Sequence, residues 1–390
     1  MNLASRMARL GTETAFEVLA RARALEAQGR SVVHLEIGEP DCDTPANIVA
    51  AGQKALGDGF THYGPSPGLP ALREAIAEDY TTRRGVEVSP SQVVVFPGGK
   101  PVMFFMILAL LEEGDEAIYP NPGFPIYQSM IEYSGAKAVA LPLRQENEFR
   151  VDVDELASLV TDRTKLLIIN SPQNPTGSLL TSADLKAIAE LCAEKGIWLL
   201  SDEIYSRLIH DGEHDTPMRY GDRSRICVLD GFSKTYAMTG WRLGYCITSE
   251  EFAVSMARLQ TNATSCTAAM TQMAGVEALR GPQDAVDGML AEFTARRNLI
   301  VDGLNALDGV SCVMPKGAFY AFADITGTGL GSKELENRLL DEAGVACLSG
   351  TSFGVHGDGF LRFSYANSQD NIREALKRFE TFLASARAGV

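Results

Sequence analysis

Lys234, Asp202 and Asn174 lie far apart in the chain, yet each follows a short apolar run that reads as a β-strand. The run Lys165 to Asn170 leads into Ser171-Pro-Gln-Asn174-Pro-Thr-Gly177, and Ile197 to Ser201 leads into Asp202-Glu203-Ile204-Tyr205. Ile226 to Leu229 leads into Asp230-Gly-Phe-Ser233-Lys234-Thr235 and then Gly240-Trp241-Arg242. Val93 to Phe96 leads into Gly98-Gly99-Lys100 at the start of a helix. Together these segments supply an amine able to add to a carbonyl, a carboxylate able to hold a cation, and an amide and a phenol for directional hydrogen bonds. They also supply a glycine turn whose amides suit an anion. Each residue has an ordinary reading too. A lysine is usually a solvated charge, Asp202 could cap a helix, Asn174 before proline could form a turn, and Gly98-Gly99 could be a tight turn. Arg242 and Arg362 could pair with acids. Convergence weighs against those readings. Ligands of α/β sheets bind beyond the carboxyl ends of strands, and all of these groups except Arg362 follow strands of one predicted sheet.

For such strand ends to meet, the strands must lie side by side. Short apolar runs (also Ala117 to Tyr119, Ala138 to Leu141 and Leu243 to Ile247) alternate with amphipathic stretches such as Leu69 to Arg84. This pattern predicts a mostly parallel sheet covered by helices on both faces. Thr181 with Asp184 reads as a cap pair opening a helix that Gly196 stops. After about residue 250 the pattern changes. A long helical stretch runs from Glu250 to Leu304, broken near Gly281-Pro282. Hairpin-like pieces (Val310 to Met314, Ala318 to Phe322), a helix (Ser332 to Glu342), a strand (Phe360 to Ser364) and a last helix (Asn371 to Ala386) follow. The expected organisation is an N-terminal arm and part of a small domain (1–45), a large domain (46–285) and a smaller α+β domain (286–390). The early strand Val32 to Ile37 is expected to join the small domain.

Composition sets the outer limits. The chain has 390 residues, 45% hydrophobic and 22% charged, which excludes a disordered or collagen-like chain. Lys and Arg number 35 against 50 Asp and Glu, a net charge of −15. With no Lys/Arg run, that charge argues against nucleic-acid or anionic-membrane partners. The longest apolar segment, around Pro101 to Leu111, is too short to span a bilayer. The first residues have no apolar signal-peptide core, so a cytoplasmic location is expected. The seven cysteines are scattered, with no CxxC pair, and read as buried free thiols. His210 and His214 are four apart, but HDGEHDTP reads as a loop, so no metal is expected.

SPQNPTG, SDEIY, GFSKTYAMTGWRLGY and LRFSYAN, in this order and spacing, resemble the signature segments of class I/II aminotransferases. These are fold-type I enzymes that use pyridoxal 5′-phosphate (PLP). The similarity runs from about Gly38 to Arg362 and implies the PLP-dependent transferase fold. It implies that Lys234 forms the Schiff base with the cofactor aldehyde and then acts as base and acid. A lysine among aromatic neighbours can be deprotonated, as an imine-forming amine must be. Asp202 would face the pyridine nitrogen and keep it protonated, making the ring an electron sink. Asn174 and Tyr205 would donate hydrogen bonds to the ring's phenolic oxygen. Gly98, Gly99, Lys100, Ser233 and Arg242 would hold the phosphate. Phe124, in YPNPGFPIY, would stack on the ring, unless it is simply a core aromatic. Tyr63 resembles the tyrosine that reaches the phosphate across a dimer interface, so a homodimer with shared sites is implied. Arg362 would bind the substrate α-carboxylate with help from Asn174 and the Gly38 backbone. Bidentate pairing helps set the Cα–H bond perpendicular to the ring. The phosphate loop departs from the pattern. Pro97-Gly98-Gly99-Lys100-Pro101 stands where many relatives carry a hydroxyl residue and Gly-Ala or Gly-Ser. Pro101 lacks an N–H, and Lys100 is expected to compensate.

The implied reaction moves the α-amino group of an L-amino acid to a 2-oxo acid, in ping-pong fashion through pyridoxamine phosphate. The same segments serve C–S β-lyases and related elimination enzymes, which release pyruvate and ammonia without an acceptor. A non-enzymatic PLP-binding regulator usually adds a DNA-binding helix-turn-helix module. Here about 40 residues precede the first motif and the chain is acidic, so an enzyme is expected. A dicarboxylic substrate wants a second cation, for which Lys100 and an arginine of a partner chain are candidates. Gly11 to Phe16 and Ser349 to Gly354 are expected as pocket walls.

Overall fold

The computed structural model describes residues 3–388. Its strands are β1 (Val33–His34), β2 (Val93–Phe96), β3 (Glu116–Asn121), β4 (Lys137–Pro142), β5 (Thr164–Asn170), β6 (Trp198–Asp202), β7 (Ile226–Gly231), β8 (Gly244–Ile247), β9 (Ser311–Cys312), β10 (Tyr320–Asp324), β11 (Val345–Ala346), β12 (Leu348–Ser349) and β13 (Phe360–Ser364). Its α-helices are α1 (Ala15–Glu26), α2 (Ala46–Gly57), α3 (Pro70–Arg84), α4 (Lys100–Leu110), α5 (Ile126–Ser134), α6 (Val153–Leu159), α7 (Ser182–Lys195), α8 (Glu250–Thr264), α9 (Ala269–Arg280), α10 (Asp284–Ala306), α11 (Ser332–Arg338) and α12 (Gln369–Ala388).

The main sheet has seven strands in the order β2-β8-β7-β6-β5-β3-β4. β8 runs antiparallel to both of its neighbours, β2 and β7, and the other pairings are parallel. Successive side chains of a strand point to opposite faces, and the packing follows that alternation. Val93 and Val95 join Leu72 and Ile76 of α3 and Leu185 and Ile188 of α7. Val94 and Phe96 join Val102 and Met106 of α4 and Tyr127 and Met130 of α5. Both faces are therefore dry, which is why these strands read as unbroken apolar runs. α7 opens with the capping box of Thr181 and Asp184, and it ends at Gly196 with φ +66°.

A second core lies around an antiparallel sheet of order β12-β13-β10-β9. Phe293 and Ile300 of α10 pack there with Phe363 of β13 and Phe379 of α12. The early strand does reach it: β1 pairs in parallel with β11. It is shorter than the apolar run suggested, because after Leu35 the chain turns toward the strand ends of the main sheet, and Ser364 N–H bonds the Leu35 carbonyl at 2.7 Å.

The long helical stretch is three helices rather than two. α8 stops at Ser265, which has φ +64°. The linker is held from outside: Thr267 Oγ1 donates to the Val95 carbonyl of β2 at 3.3 Å, and Gln272 Nε2 donates to the Thr267 carbonyl at 2.8 Å. No glycine or proline marks this break, so tertiary anchoring decides it. The helix from Ser332 ends in a π-turn, Leu339–Ala343.

One close approach in the main sheet bears on function. A Cβ on Gly244 would stand 2.6 Å from the Gly98 carbonyl carbon and 2.7 Å from Gly99 N. The first residue of β8 thus presses on the glycine turn after β2. Gly244→Ala should cost roughly 1–3 kcal/mol, the range for overpacking a tight site. Urea unfolding monitored by circular dichroism would check this, and an unchanged midpoint would refute the contact.

Candidate active site

The sheet register aligns Asn170 of β5 with Asp202 of β6, and Asp202 with Leu229 of β7. These carboxyl ends open into a cavity of about 470 Å³. Gly38, Gly99, Lys100, Phe124, Asn174, Asp202, Tyr205, Ser233, Lys234, Arg242 and Arg362 all line it. The two expected wall segments contribute Glu13 to Phe16, Ser352 and Phe353. Gly98 lies just behind the lining. Its φ is +101°, and a Cβ there would stand 2.2 Å from Arg242 Nη2, so only glycine lets the guanidinium approach. Tyr63 is 90% exposed and lies outside the cavity.

Lys234 sits just beyond the end of β7. Its Nζ donates to the Gly38 carbonyl at 2.5 Å and lies 5.7 Å from the Phe319 ring centroid. Desolvation lowers its pKa to about 8, opposed by Glu39 and aided by Arg362. Gly38 has no room for a side chain, since a Cβ would fall 2.3 Å from Tyr320 Oη.

Asp202 is buried at the cavity floor. Tyr127 Oη donates to its Oδ2 at 2.6 Å, and Ile204 N–H donates to its Oδ1 at 3.2 Å. Burial nevertheless pushes its carboxyl up to about 6. On the far side, Glu203 bonds His214 Nε2 at 2.9 Å and Ser201 Oγ at 3.1 Å. His210 bonds Thr294 Oγ1 and the Ala318 carbonyl, each at 2.8 Å, so the two histidines serve separate networks.

Asn170 Nδ2 donates to the Asp202 carbonyl and its Oδ1 accepts from Asn174 N–H, both at 2.9 Å. Asn174 Oδ1 in turn accepts from Arg362 Nη1 at 3.1 Å, leaving its amide NH₂ to face the cavity. Arg362, buried on β13, also donates to the Glu36 carbonyl at 2.5 Å. Its guanidinium lies between two rings, 4.5 Å from Tyr320 and 4.8 Å from Phe353. Its Nε–H is buried without a partner. The residue lines the cavity, and a buried cation there is a site for an anion. Tyr205 Oη and Tyr320 Oη share a hydrogen bond of 2.7 Å.

The opposite end of the cavity also suits an anion. Gly99 is the N-cap of α4 with no side-chain cap bond, and Ser233 and Arg242 stand beside it. The Lys100 ammonium is directed elsewhere. It pairs with Glu13 and lies 5.7 Å from the Phe124 ring centroid.

Sequence reasoning missed Tyr127, Tyr320 and the Glu36 carbonyl, and it placed Glu13 and Phe353 only as members of the wall segments, without a role for either. Tyr127 was within reach, being three residues beyond Phe124 at the start of α5. The others come from segments whose placement depends on the second core or the amino-terminal arm.

The raised carboxyl of Asp202 has a consequence for stability. Its ordinary value is 3.8 and its value here is about 6. Between those limits the native chain keeps a proton that the unfolded chain loses, so stability falls as pH rises from about 4 to about 6. Asp202→Asn keeps an acceptor for Tyr127 and removes the titration. In the ligand-free protein it should be more stable than the parent above pH ~6, by up to about 3 kcal/mol, and equal to it below pH ~4. Urea titrations across that pH range would show it, and a difference independent of pH would contradict it.

Comparison with known proteins accords with this geometry. Residues 30–379 match the family described as Aminotransferase class I and II. A probable aspartate/prephenate aminotransferase of Aquifex aeolicus is 39% identical, covering 98% of each chain. Aromatic-amino-acid aminotransferase 2 of Thermococcus litoralis is 40% identical over 92% of this chain and 93% of its own. The solved structure of aspartate aminotransferase from Thermus thermophilus with maleate superposes with a TM-score of 0.94 at 37% identity, covering 98% of this chain and 99% of that one. On fold, site and similarity together, the chain belongs to the class I and II aminotransferases, which work with pyridoxal 5′-phosphate.

Proposed function

We propose that Lys234, Asp202 and Arg362 are the working groups of this transaminase, and that dicarboxylic acids are among its substrates. One arrangement carries the reading. A desolvated amine, a buried carboxylate and a buried guanidinium line a single cavity. The lining fits the cofactor. Asp202 offers a negative charge for the pyridine nitrogen, and Asn174 and Tyr205 offer donors for the ring oxygen. Phe124 offers an aromatic face. The turn at Gly98 and Gly99, with Ser233 and Arg242, offers the phosphate its donors. When bound, pyridoxal phosphate supplies a carbon that accepts the amino group and a ring that takes up the electron pair left at the substrate α-carbon.

The remaining work falls to the protein. Arg362 and Asn174 bind the α-carboxylate and fix the orientation of the α-carbon. Lys234 Nζ, with a pKa of about 8, is the base placed to take the proton from that α-carbon and, once protonated, would serve as the acid that gives it back. Asp202 would face the cofactor's ring nitrogen, where its ionised form would hold that nitrogen protonated. Phe353 and Tyr320 shield the guanidinium from water.

Lys100 fits the role of cation for a distal carboxylate, since its ammonium is turned away from the phosphate end. The relatives named for aspartate and the Thermus structure solved with maleate, a four-carbon dicarboxylate, support that reading. Names of transferases also favour transamination over elimination. Tyr63, with 90% of its surface free, is suited to reach a second copy's cavity, and we assign the chain a homodimer on that basis.

Aspartate and 2-oxoglutarate should be interconverted with their oxo and amino partners, and Lys234→Ala should abolish this. Arg362→Leu should lower kcat/KM by roughly 100-fold or more, as expected for removing a buried charged partner. Its cofactor absorbance should persist. Activity surviving in Lys234→Ala, or an Arg362→Leu enzyme with unchanged kcat/KM, would overturn these roles.

A further inference from the structure

Glu13 brings a carboxylate into the cavity from the irregular stretch between the 3-10 turn Ser5–Arg9 and α1. It accepts a hydrogen bond from the Lys100 ammonium. The side chains are 19% and 49% exposed respectively, so the pair stands at the mouth of the cavity, not on its floor. The charge of Glu13 also acts on Lys234 and Arg362. One carboxylate of the protein therefore faces the same cations that a dicarboxylic substrate would engage.

The segment that carries Glu13 is lightly held. Gly11 N–H bonds Ser129 Oγ at 2.9 Å and Arg9 Nε bonds the Glu132 carbonyl at 2.8 Å, both on α5. Residues 3–12 are exposed. Turning the Glu13 carboxylate into water disrupts neither anchor and no core packing.

We propose that Glu13 is a built-in competitor for Lys100 and sets the balance between dicarboxylic and neutral or aromatic substrates. This rests on Lys100 being the distal cation, as assigned above. With a neutral side chain in the cavity, Glu13 remains on Lys100, so no apolar group is laid against a bare ammonium. When a distal carboxylate arrives, it exchanges with Glu13, whose own charge is solvated at the mouth. Lys100 keeps a counter-ion in both states. Dicarboxylates gain only the difference between two ion pairs, and neutral substrates lose little. An inert salt bridge that merely fastens the arm would give neither effect.

The test uses the holoenzyme and succinate, a dicarboxylate with no amino group to transfer. Glu13→Gln should tighten succinate binding about two- to five-fold, the scale of releasing a partly exposed ion pair. The kcat/KM ratio of aspartate to phenylalanine should rise by a similar factor. Glu13→Asp, which keeps the charge on a shorter stem, should fall between parent and Glu13→Gln. Lys100→Met should weaken succinate, and in that background Glu13→Gln should have no further effect on it. If Lys100→Met weakens succinate while Glu13→Gln leaves both binding and ratio unchanged, Lys100 keeps its role and the competitor is overturned. If Lys100→Met leaves succinate binding unchanged, the distal-cation assignment and the competitor fall together.

Discussion

Desolvation of charge is the constraint on which this molecule is organised. Asp202 and Arg362 are buried and Lys234 is half-buried beside one cavity, and desolvation is the largest influence on each of them. Uncompensated charges in such a place cost several kcal/mol apiece. The protein compensates them only in part. Asp202 keeps Tyr127 and a backbone amide, Lys234 keeps a carbonyl, and Arg362 keeps an amide oxygen, a carbonyl and two aromatic faces. The unmet remainder is binding energy reserved for ligands whose charges are the complement of these.

Holding such groups apart from water and from one another requires stiff supports. The parallel strands fix Asn170 and Asp202 as register partners, with Lys234 just past the end of β7. The reversed strand β8 closes the glycine turn from behind, and at Gly244 and Gly98 the backbone and a guanidinium fill the space of absent side chains. Tyr127 comes from α5, whose apolar face also packs on the sheet. The hydrogen bond to Asp202 is thus set by core packing, not by a loop.

How much of this was legible in the sequence follows from the range of the interactions. Strand ends, glycine turns and the Thr181–Asp184 cap are local, and their patterns announced the main sheet and the residues at its edge. The resemblance carried by SPQNPTG, SDEIY and GFSKTYAMTGWRLGY added the chemistry. The break at Ser265 was not legible, because its cause is a bond to β2 rather than a helix breaker. Tyr320 and Phe353 were not legible either. Tyr320 sits in an apolar run that reads as core, and only the antiparallel pairing of β10 with β13 puts it beside Arg362; Phe353 sits in a glycine- and serine-rich turn whose direction no local pattern gives. The direction of the Lys100 side chain depends on Glu13, distant by 87 positions, and no short-range pattern encodes it.

The cavity also divides by origin. The groups suited to hold the cofactor come from strand ends of the main sheet, whereas Tyr320 and Arg362 come from β10 and β13 and Phe353 from the turn that follows β12. Four polar contacts join the two sides or the arm across the cavity: Lys234 to Gly38, Asn174 to Arg362, Tyr205 to Tyr320, and Lys100 to Glu13. Every one of them uses a group that faces the ligand. Apolar contact also spans the two sides away from the cavity: the Phe149 ring meets Phe322 of β10 and Phe360 of β13 edge-on, each at 5.6 Å. A ligand that claims Lys234 displaces its bond to the Gly38 carbonyl, whereas one that uses the Asn174 NH₂ and Arg362 can leave the bond between them in place. The two sides are also fastened outside the cavity, as by Ala318 N–H to the Leu208 carbonyl at 2.8 Å, so a ligand reinforces a seam that the fold has already closed.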